Sequence, residues 1–388
     1  MGWNLHNEDF IKRLGFINLM KLRASYGLTG NQNFNPYQAK ATYNFYSDVV
    51  YDNIVGAYLM AMANDQLKWQ QTADLNIGLD LQLFNNFNLV IDVYRSKTKD
   101  ALLAMTLPTS TGFSSYQENL GNVENKGFDA TLSWRFFRTS DSWASLNFTV
   151  GHNVNKVTEI NEALRSYNEE QENDQAENST TSPIIRYEEG QSMTAIWAVK
   201  SLGIDPATGE EIFLKKDGVT TTYDWSADDY IVAGDSNPKY HGNFGLSGEY
   251  KGFGLTCSFS YELGGDYYNQ TLVDRVENVN IANNVDHRVL SDTWQQVGDV
   301  AKFKHISYSP TTTYPTTRFI EKYNELQFAS LSCYYDFKYV SWLHKLRMER
   351  LKISFYMNDL FHISTVKTER GLSYPYARSF SLSLSATF

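Results

Sequence analysis

The sequence predicts an all-β protein: an antiparallel membrane-spanning β-barrel wall of about ten strands, with long loops at one end. Three observations carry that expectation. Apolar and polar residues alternate over stretches longer than the roughly five or six residues of an ordinary soluble strand. The links between those stretches alternate short and long, and the chain closes on an alternating strand that ends in an aromatic residue.

The first such stretch is 17–29, where Met20, Leu22, Ala24, Tyr26 and Leu28 oppose Lys21, Arg23, Ser25 and Gly27. Successive strand side chains point to opposite faces, so each set belongs to one face. In 72–83 the alternation is nearly complete: Ala73, Leu75, Ile77, Leu79, Leu81 and Leu83 against Thr72, Asp74, Asn76, Gly78, Asp80 and Gln82. Asn85-Asn86 reads as a tight turn, because Asn tolerates the left-handed backbone that hairpins use. The chain returns through Phe87, Leu89, Ile91 and Val93, followed by 127–138, 142–154, 243–250, 253–263, 327–337 and 350–357. A helical period fails here, since it would set Asp74, Asp80 and Asp92 among leucines. The last strand, 377–388, puts Phe380, Leu382, Leu384, Ala386 and Phe388 on one face and hydroxyls on the other.

Short links follow Phe84, Arg138, Lys251 and Phe337, whereas long ones run over 31–66, 105–117, 155–240, 264–318 and 361–377. Tight turns at one end and long loops at the other are the asymmetry of membrane barrels, whose outer loops are the long ones. The parity requires the strand-like 191–204 to fold within the outer region without crossing. The run 168–181 is acidic and nearly free of apolar residues, so it reads as a solvated tip. Gly264-Gly265-Asp266 reads as a glycine-assisted strand exit.

The chain has 388 residues, 15% aromatic and 20% charged, with a formal net charge of -10. Such an acidic balance excludes a nucleic-acid partner, which needs a basic face. No window supplies the roughly 18 apolar residues of a membrane helix, which does not count against a barrel. The start, Met1-Gly2-Trp3-Asn4, is no secretory signal, so the expectation is a C-terminal part of a longer polypeptide. The seven His (His6, His152, His241, His287, His305, His344, His362) form no zinc motif, and Gly245-Leu246-Ser247-Gly248 misses a nucleophile elbow. Catalytic, metal and cofactor residues are therefore expected to be none. Cys257 and Cys333 are expected on the apolar face as small unpaired side chains.

Several stretches, in order, resemble the C-terminal half of the SusC/RagA family of TonB-dependent outer-membrane transporters. They are 22–32 (LRASYGLTGNQ), 67–72 (LKWQQT), Leu107-Pro108 with 111–115 (TGFSS), and 119–127 (NLGNVENKG). Further along come 189–191 (EGQ), 203–209 (GIDPATG), 237–240 (NPKY), 358–361 (NDLF) and the terminal Phe388. The resemblance implies a 22-strand barrel in the Gram-negative outer membrane, of which residues 1–388 form the C-terminal part. A plug and a TonB box belong upstream of this chain and are absent from it. It also implies a SusD-like surface lipoprotein, the TonB complex and membrane lipid as partners, no enzymatic activity, and a terminal Phe388, with Phe380, as an assembly signal. Where the family often carries an acidic calcium-like run, Leu214-Lys215-Lys216-Asp217-Gly218 offers one carboxylate, too few for a hard cation.

The expected function is uptake of oligosaccharides or peptides. Alternatives are a free-standing ten-stranded porin or barrel enzyme, or a soluble all-β glycan-binding adhesin. Candidate substrate contacts are Asp74, Asp80, Asp92, Tyr94 and Arg135 on the polar strand face, and Tyr223, Trp225, Tyr267 and Tyr268 in the loops.

Overall fold

A computed structural model describes residues 1–31, 40–52, 54–106, 111–113, 115–119, 121–307, 311–343, 347–367, 369 and 377–388. Its strands are β1 Gly2–Asn4, β2 Ile17–Asn31, β3 Thr42–Tyr51, β4 Ile54–Ala61, β5 Gln70–Leu83, β6 Phe87–Lys99, β7 Leu102–Thr106, β8 Ser115–Asn119, β9 Gly121–Arg138 and β10 Ser142–Ile160. They continue with β11 Ala195–Ile204, β12 Glu211–Leu214, β13 Thr221–Thr222, β14 Tyr230–Asp235, β15 Tyr240–Tyr250, β16 Phe253–Tyr268, β17 Ile320–Asp336, β18 Arg350–Ser364 and β19 Phe380–Thr387.

One 11-stranded antiparallel sheet runs β1-β2-β5-β6-β9-β10-β15-β16-β17-β18-β19. It contains every long stretch expected from the alternation, plus the three-residue β1. The sheet is open, with β1 and β19 at its edges. Register follows the alternation. The apolar set of β5 meets that of its neighbours, Leu22↔Leu79↔Ile91 for example, and the polar set does the same. Near the middle, Phe244, Phe259 and Phe328 stack across three strands with ring centroids 4.7 and 4.4 Å apart. Cys257 and Cys333 share that apolar face, opposite Leu331 and Leu255, and are free thiols.

Several strands run past their alternating stretch toward the long-loop end; β10 has 19 residues. A membrane strand needs only roughly 9–11. On the apolar face the band ends where Arg95, Glu124 and Lys126 pair, Arg95 Nε lying 2.8 Å from Glu124. Beyond that level both faces are wet or packed, and the two-residue pattern has no reason to persist.

Four expectations need correction. The run 168–181 is largely helical: Glu162–Asn178 forms a helix capped by Asn161, whose side chain accepts from the Leu164 amide at 2.9 Å. Leu164, Tyr167, Asn168 and Gln175 are buried. Asn168 holds the Tyr187 backbone through both its amide groups, and Gln175 donates to the Thr180 and Ser182 carbonyls. Polar side chains anchor this helix, which is why its composition looked like a free tip. Second, Gly264 does not end its strand. With φ +78° it makes a bulge between Leu263 and Gly265, and β16 continues to Tyr268. Third, the left-handed residues of the β5–β6 turn are Phe84 and Asn85, not Asn85 and Asn86. Fourth, the link from Asp336 to Arg350 is not a tight turn; it carries a 3-10 turn at Phe337–Tyr339.

At the long-loop end, β11 pairs with β12 and β14 in a separate four-stranded sheet, so 191–204 folds off the main wall as its parity demanded. The core lies here and not in the wall. Trp197, Val199, Phe213 and Tyr230 form one cluster, and Val273, Val276, Val289, Phe303 and Phe319 another. A third cluster, Val157, Leu164, Tyr167 and Tyr187, ties the helix to the outer end of β10. Gln32, Leu107-Pro108, Ser114, Leu120, His344 and most of 368–376 lie outside the described residues.

Candidate functional site

The polar face of the wall is built from rows of directly paired residues. From Arg23 the register runs sideways through Gly78, Asp92, Asp129, Gly151, His241, Glu262, Glu325 and Ser364. Of the neighbouring rows, one is neutral, through Ser25, Asn76, Tyr94, Gly127 and Asn153, and the other starts at the charged Lys21 and Asp80 before running on through Val90, Thr131, Thr149, Asn243, Ser260, Gln327 and His362. The charge of the wall therefore lies along this level and, at the β2–β5 end, in the row beside it.

Two predicted residues, Asp80 and Asp92, meet there through a third that sequence reasoning did not single out. Arg23 Nε donates to Asp80 at 2.9 Å, and Arg23 Nη2 to Asp92 Oδ2 at 2.9 Å. The guanidinium lies across Gly78. A Cβ at that position would sit 2.6 Å from Arg23 Nη2 and 2.5 Å from Asp92 Oδ1, so only glycine permits the crossing. The available signal was a glycine flanked on the same face by Asn76 and Asp80. Tyr94 reaches across Gly127 in the same way, its hydroxyl donating to Asn153 at 3.3 Å. Asp74 stands exposed, paired with Gly27 and Ser96 farther out. Arg135 is apart from all of these. It is exposed beside the β9–β10 bulge, and its amide donates to Asn86 O at the short-turn end.

The four loop residues also divide. Tyr223 and Trp225 line one cleft of about 460 Å³ with Glu210, Glu211, Lys304, His305 and Tyr314. Tyr223 donates to Asp205 Oδ2 at 2.5 Å, and Trp225 stacks on Tyr314 at 4.3 Å. Tyr267 packs beside Tyr323, with ring centroids 5.8 Å apart. Tyr268 points into the module, its hydroxyl donating to Thr181 O at 3.1 Å and its ring edge-on to Phe319.

Beneath the cleft lies a charge cluster that the sequence reading missed. Arg318 donates to Glu211 at 2.7 and 3.1 Å, to Glu277 at 2.5 and 3.0 Å, and to Lys302 O at 2.7 Å. The Glu277 side chain is 0% exposed and that of Glu211 3%. Burial works against the Glu211 charge, but Arg318 outweighs it and holds the carboxyl below its ordinary 4.5. The same burial pushes the Lys304 amine down, against the pull of Glu277 3.9 Å away. Glu211, Glu277 and Arg318 come from a short strand and from helical turns far apart in the chain, with no spacing to betray them.

Among the described residues no cluster of three or more His, Cys, Asp or Glu is placed to hold a metal ion. Asp217 is spent on its own turn. It accepts from the Val219 and Thr220 amides at 2.9 Å and from the Thr220 hydroxyl at 2.6 Å, which lowers its carboxyl to about 2.

A long-stranded antiparallel wall, polar on one face and apolar on the other, with a folded module at its long-loop end, defines a segment of an outer-membrane β-barrel. The sequence model described as TonB dependent receptor-like, beta-barrel matches residues 3–187, and that part of the chain carries the family's barrel sequence. It is 26% identical to TonB-dependent receptor P39 of Formosa agariphila over 80% of this chain and 33% of the relative. It is 32% identical to TonB-dependent receptor P3 of the same organism over 71% of this chain and 28% of the relative. TonB-dependent receptor SusC of Bacteroides thetaiotaomicron is 29% identical over 41% of this chain. Among solved structures, the RagAB peptide transporter superposes with a TM-score of 0.74 at 20% identity, covering 94% of this chain and 39% of that one, which shows the shared barrel fold. The chain spans about a third of the length of the curated relatives it matches.

Proposed function

We propose that this chain is the C-terminal part of the barrel wall of a TonB-driven importer for oligosaccharides or peptides. The observation that carries this reading is the pairing of a continuous polar wall face with a folded outer module whose cleft opens between aromatic and charged side chains. In it, residues 1–388 supply wall and outer loops, while plug and TonB box lie upstream. A SusD-like lipoprotein covers the outer mouth. The residues bind and release without covalent chemistry; the relatives are named receptors, not enzymes. The test is uptake by cells carrying the full polypeptide. Import of a short glycan or peptide should require both this polypeptide and the proton gradient, and a surface lipoprotein should co-purify with it. Import that survives collapse of the gradient favours a porin.

Orientation gives a direct check. The turn at Asp217-Gly218 is exposed, whereas Thr180 and Thr181 are engaged by Gln175, Tyr268 and Gln270. An epitope inserted after Gly218 should be reachable by antibody on intact cells, and one at Asn85 should not. The reverse staining contradicts the topology.

Phe388 tests the closing strand. Phe380 and Phe388 are 72% and 81% exposed, and Phe380 stacks on Phe355 at 6.1 Å. Each side chain offers about 1.5–3 kcal/mol of apolar burial. If Phe388 is an assembly signal, Phe388→Ala should slow the appearance of heat-modifiable barrel in a pulse-chase more than Phe380→Ala does. Equal rates reduce Phe388 to one more lipid-facing ring.

A further inference from the structure

Resting on the importer reading, we propose that the outer module carries an oligosaccharide groove centred on the stacked pair Trp225 and Tyr314, and that this groove takes neutral glycans. Two hollows meet at the pair. The larger, about 460 Å³, adds Tyr223, Asp224, Lys304 and His305 to the two rings. The smaller, about 320 Å³, adds Glu172, Asn173, Ser226 and Asp228. Because both rings line both hollows, a ligand running from one into the other must cross aromatic carbon midway and meet polar side chains on either side. A chain of sugar rings has that sequence of surfaces: flat C–H faces that pack on an aromatic ring, and hydroxyls at their edges.

The pair is held from below. Trp225 Nε1 donates to Pro315 O at 3.3 Å, and its ring meets the buried Tyr230 edge-on at 5.7 Å. The stack, 4.3 Å apart and 17° from parallel, is therefore preorganised.

Charge selects among glycans. On the floor of the larger hollow, Arg318 clamps Glu211 and Glu277, and Lys304 lies 3.9 Å from Glu277, so two cations answer two carboxylates. Around the rim, Glu210 and Asp224 on one side and Asp228 on the other leave an acidic surplus. Uronate or sulfated chains meet repulsion there, whereas neutral hydroxyls find acceptors. A lysine-rich peptide would suit the rim but would confront Lys304 and His305 within the larger hollow.

The test uses the purified full polypeptide, titrated by calorimetry with short neutral hexose oligosaccharides, uronate oligosaccharides and lysine-rich peptides. Neutral oligosaccharides should bind, and Trp225→Ala should weaken them by about tenfold or more. Since Trp225 also packs on Tyr230, that variant is paired with Asp224→Ala at the exposed rim, which should weaken binding severalfold at an unchanged unfolding temperature, and with Trp225→Phe, which should recover much of the affinity. The groove is overturned if Trp225→Ala and Asp224→Ala both bind like the parent, or if only uronates or lysine-rich peptides bind. Cell uptake separates the two claims: gradient-driven peptide import without glycan binding sinks the groove and leaves the importer, whereas glycan binding without any import does the opposite.

Discussion

Arg318→Ala should destabilise the outer module by about 3–5 kcal/mol, the cost of leaving buried carboxylates without their cation. The arginine clamps Glu211 and Glu277 with paired hydrogen bonds and lies 4.4 Å over the Phe319 ring, which is itself fully buried. Lysine is no equivalent, since its ammonium has three donors and lacks the planar fork that gives each carboxylate two hydrogen bonds. The long wall strands do not depend on this cluster, so the barrel should still assemble. Limited proteolysis should then cut between Glu211 and Thr316 in the variant and spare the wall. The loss should also shrink on acidification. The Glu211 carboxyl is depressed by Arg318, so its contribution is present above its ordinary 4.5 and is lost as pH falls below that value. If Arg318→Ala resists protease like the parent, the cluster is not what holds the module.

Leu79→Arg should cost about 2–4 kcal/mol, whereas Ser25→Arg should cost far less. The two sites lie on adjacent paired strands but on opposite faces. Leu79 stands between Leu22 and Ile91, and Ser25 faces Asn76 in an exposed position. A lipid-facing cation at mid-strand loses its hydration, while one on the polar face keeps it. Urea unfolding of the barrel, followed by its heat-modifiable gel shift, measures both. Equal penalties would mean that both faces meet the same medium.

The wall was legible because a strand exposed to two media must alternate, and every long stretch of 17–29, 72–83 or 377–388 type appears in the main sheet. The outer module was not. Its helix Glu162–Asn178 is anchored by Asn168 and Gln175 through hydrogen bonds, which leave no apolar signature in the sequence. Its clamp joins Glu211 at the start of β12 to Glu277 and Arg318, which lie 41 residues apart in the connection from β16 to β17. On the wall, Asp80 and Asp92 could be named from their face alone. Their tie through Arg23 needed the register, and the absent side chain at Gly78 mattered as much as the charges. Arg135 shares a strand with Asp129 but lies six residues further along β9, at its short-turn end beside the bulge between Ala144 and Leu146.

The central claim is that one face of this sheet meets lipid and the other meets the water of a barrel interior. Single cysteines placed along β5 from Leu75 to Gln82, leaving Gly78 in place, with Cys257 and Cys333 replaced by alanine, test it most directly. Each is coupled to a fluorophore in the full polypeptide reconstituted into vesicles, then challenged with a lipid-borne and a water-borne quencher. Labels at 75, 77, 79 and 81 should answer to the lipid quencher, and those at 76, 80 and 82 to the aqueous one. Quenching without that two-residue alternation, or from water on both faces, would contradict the account.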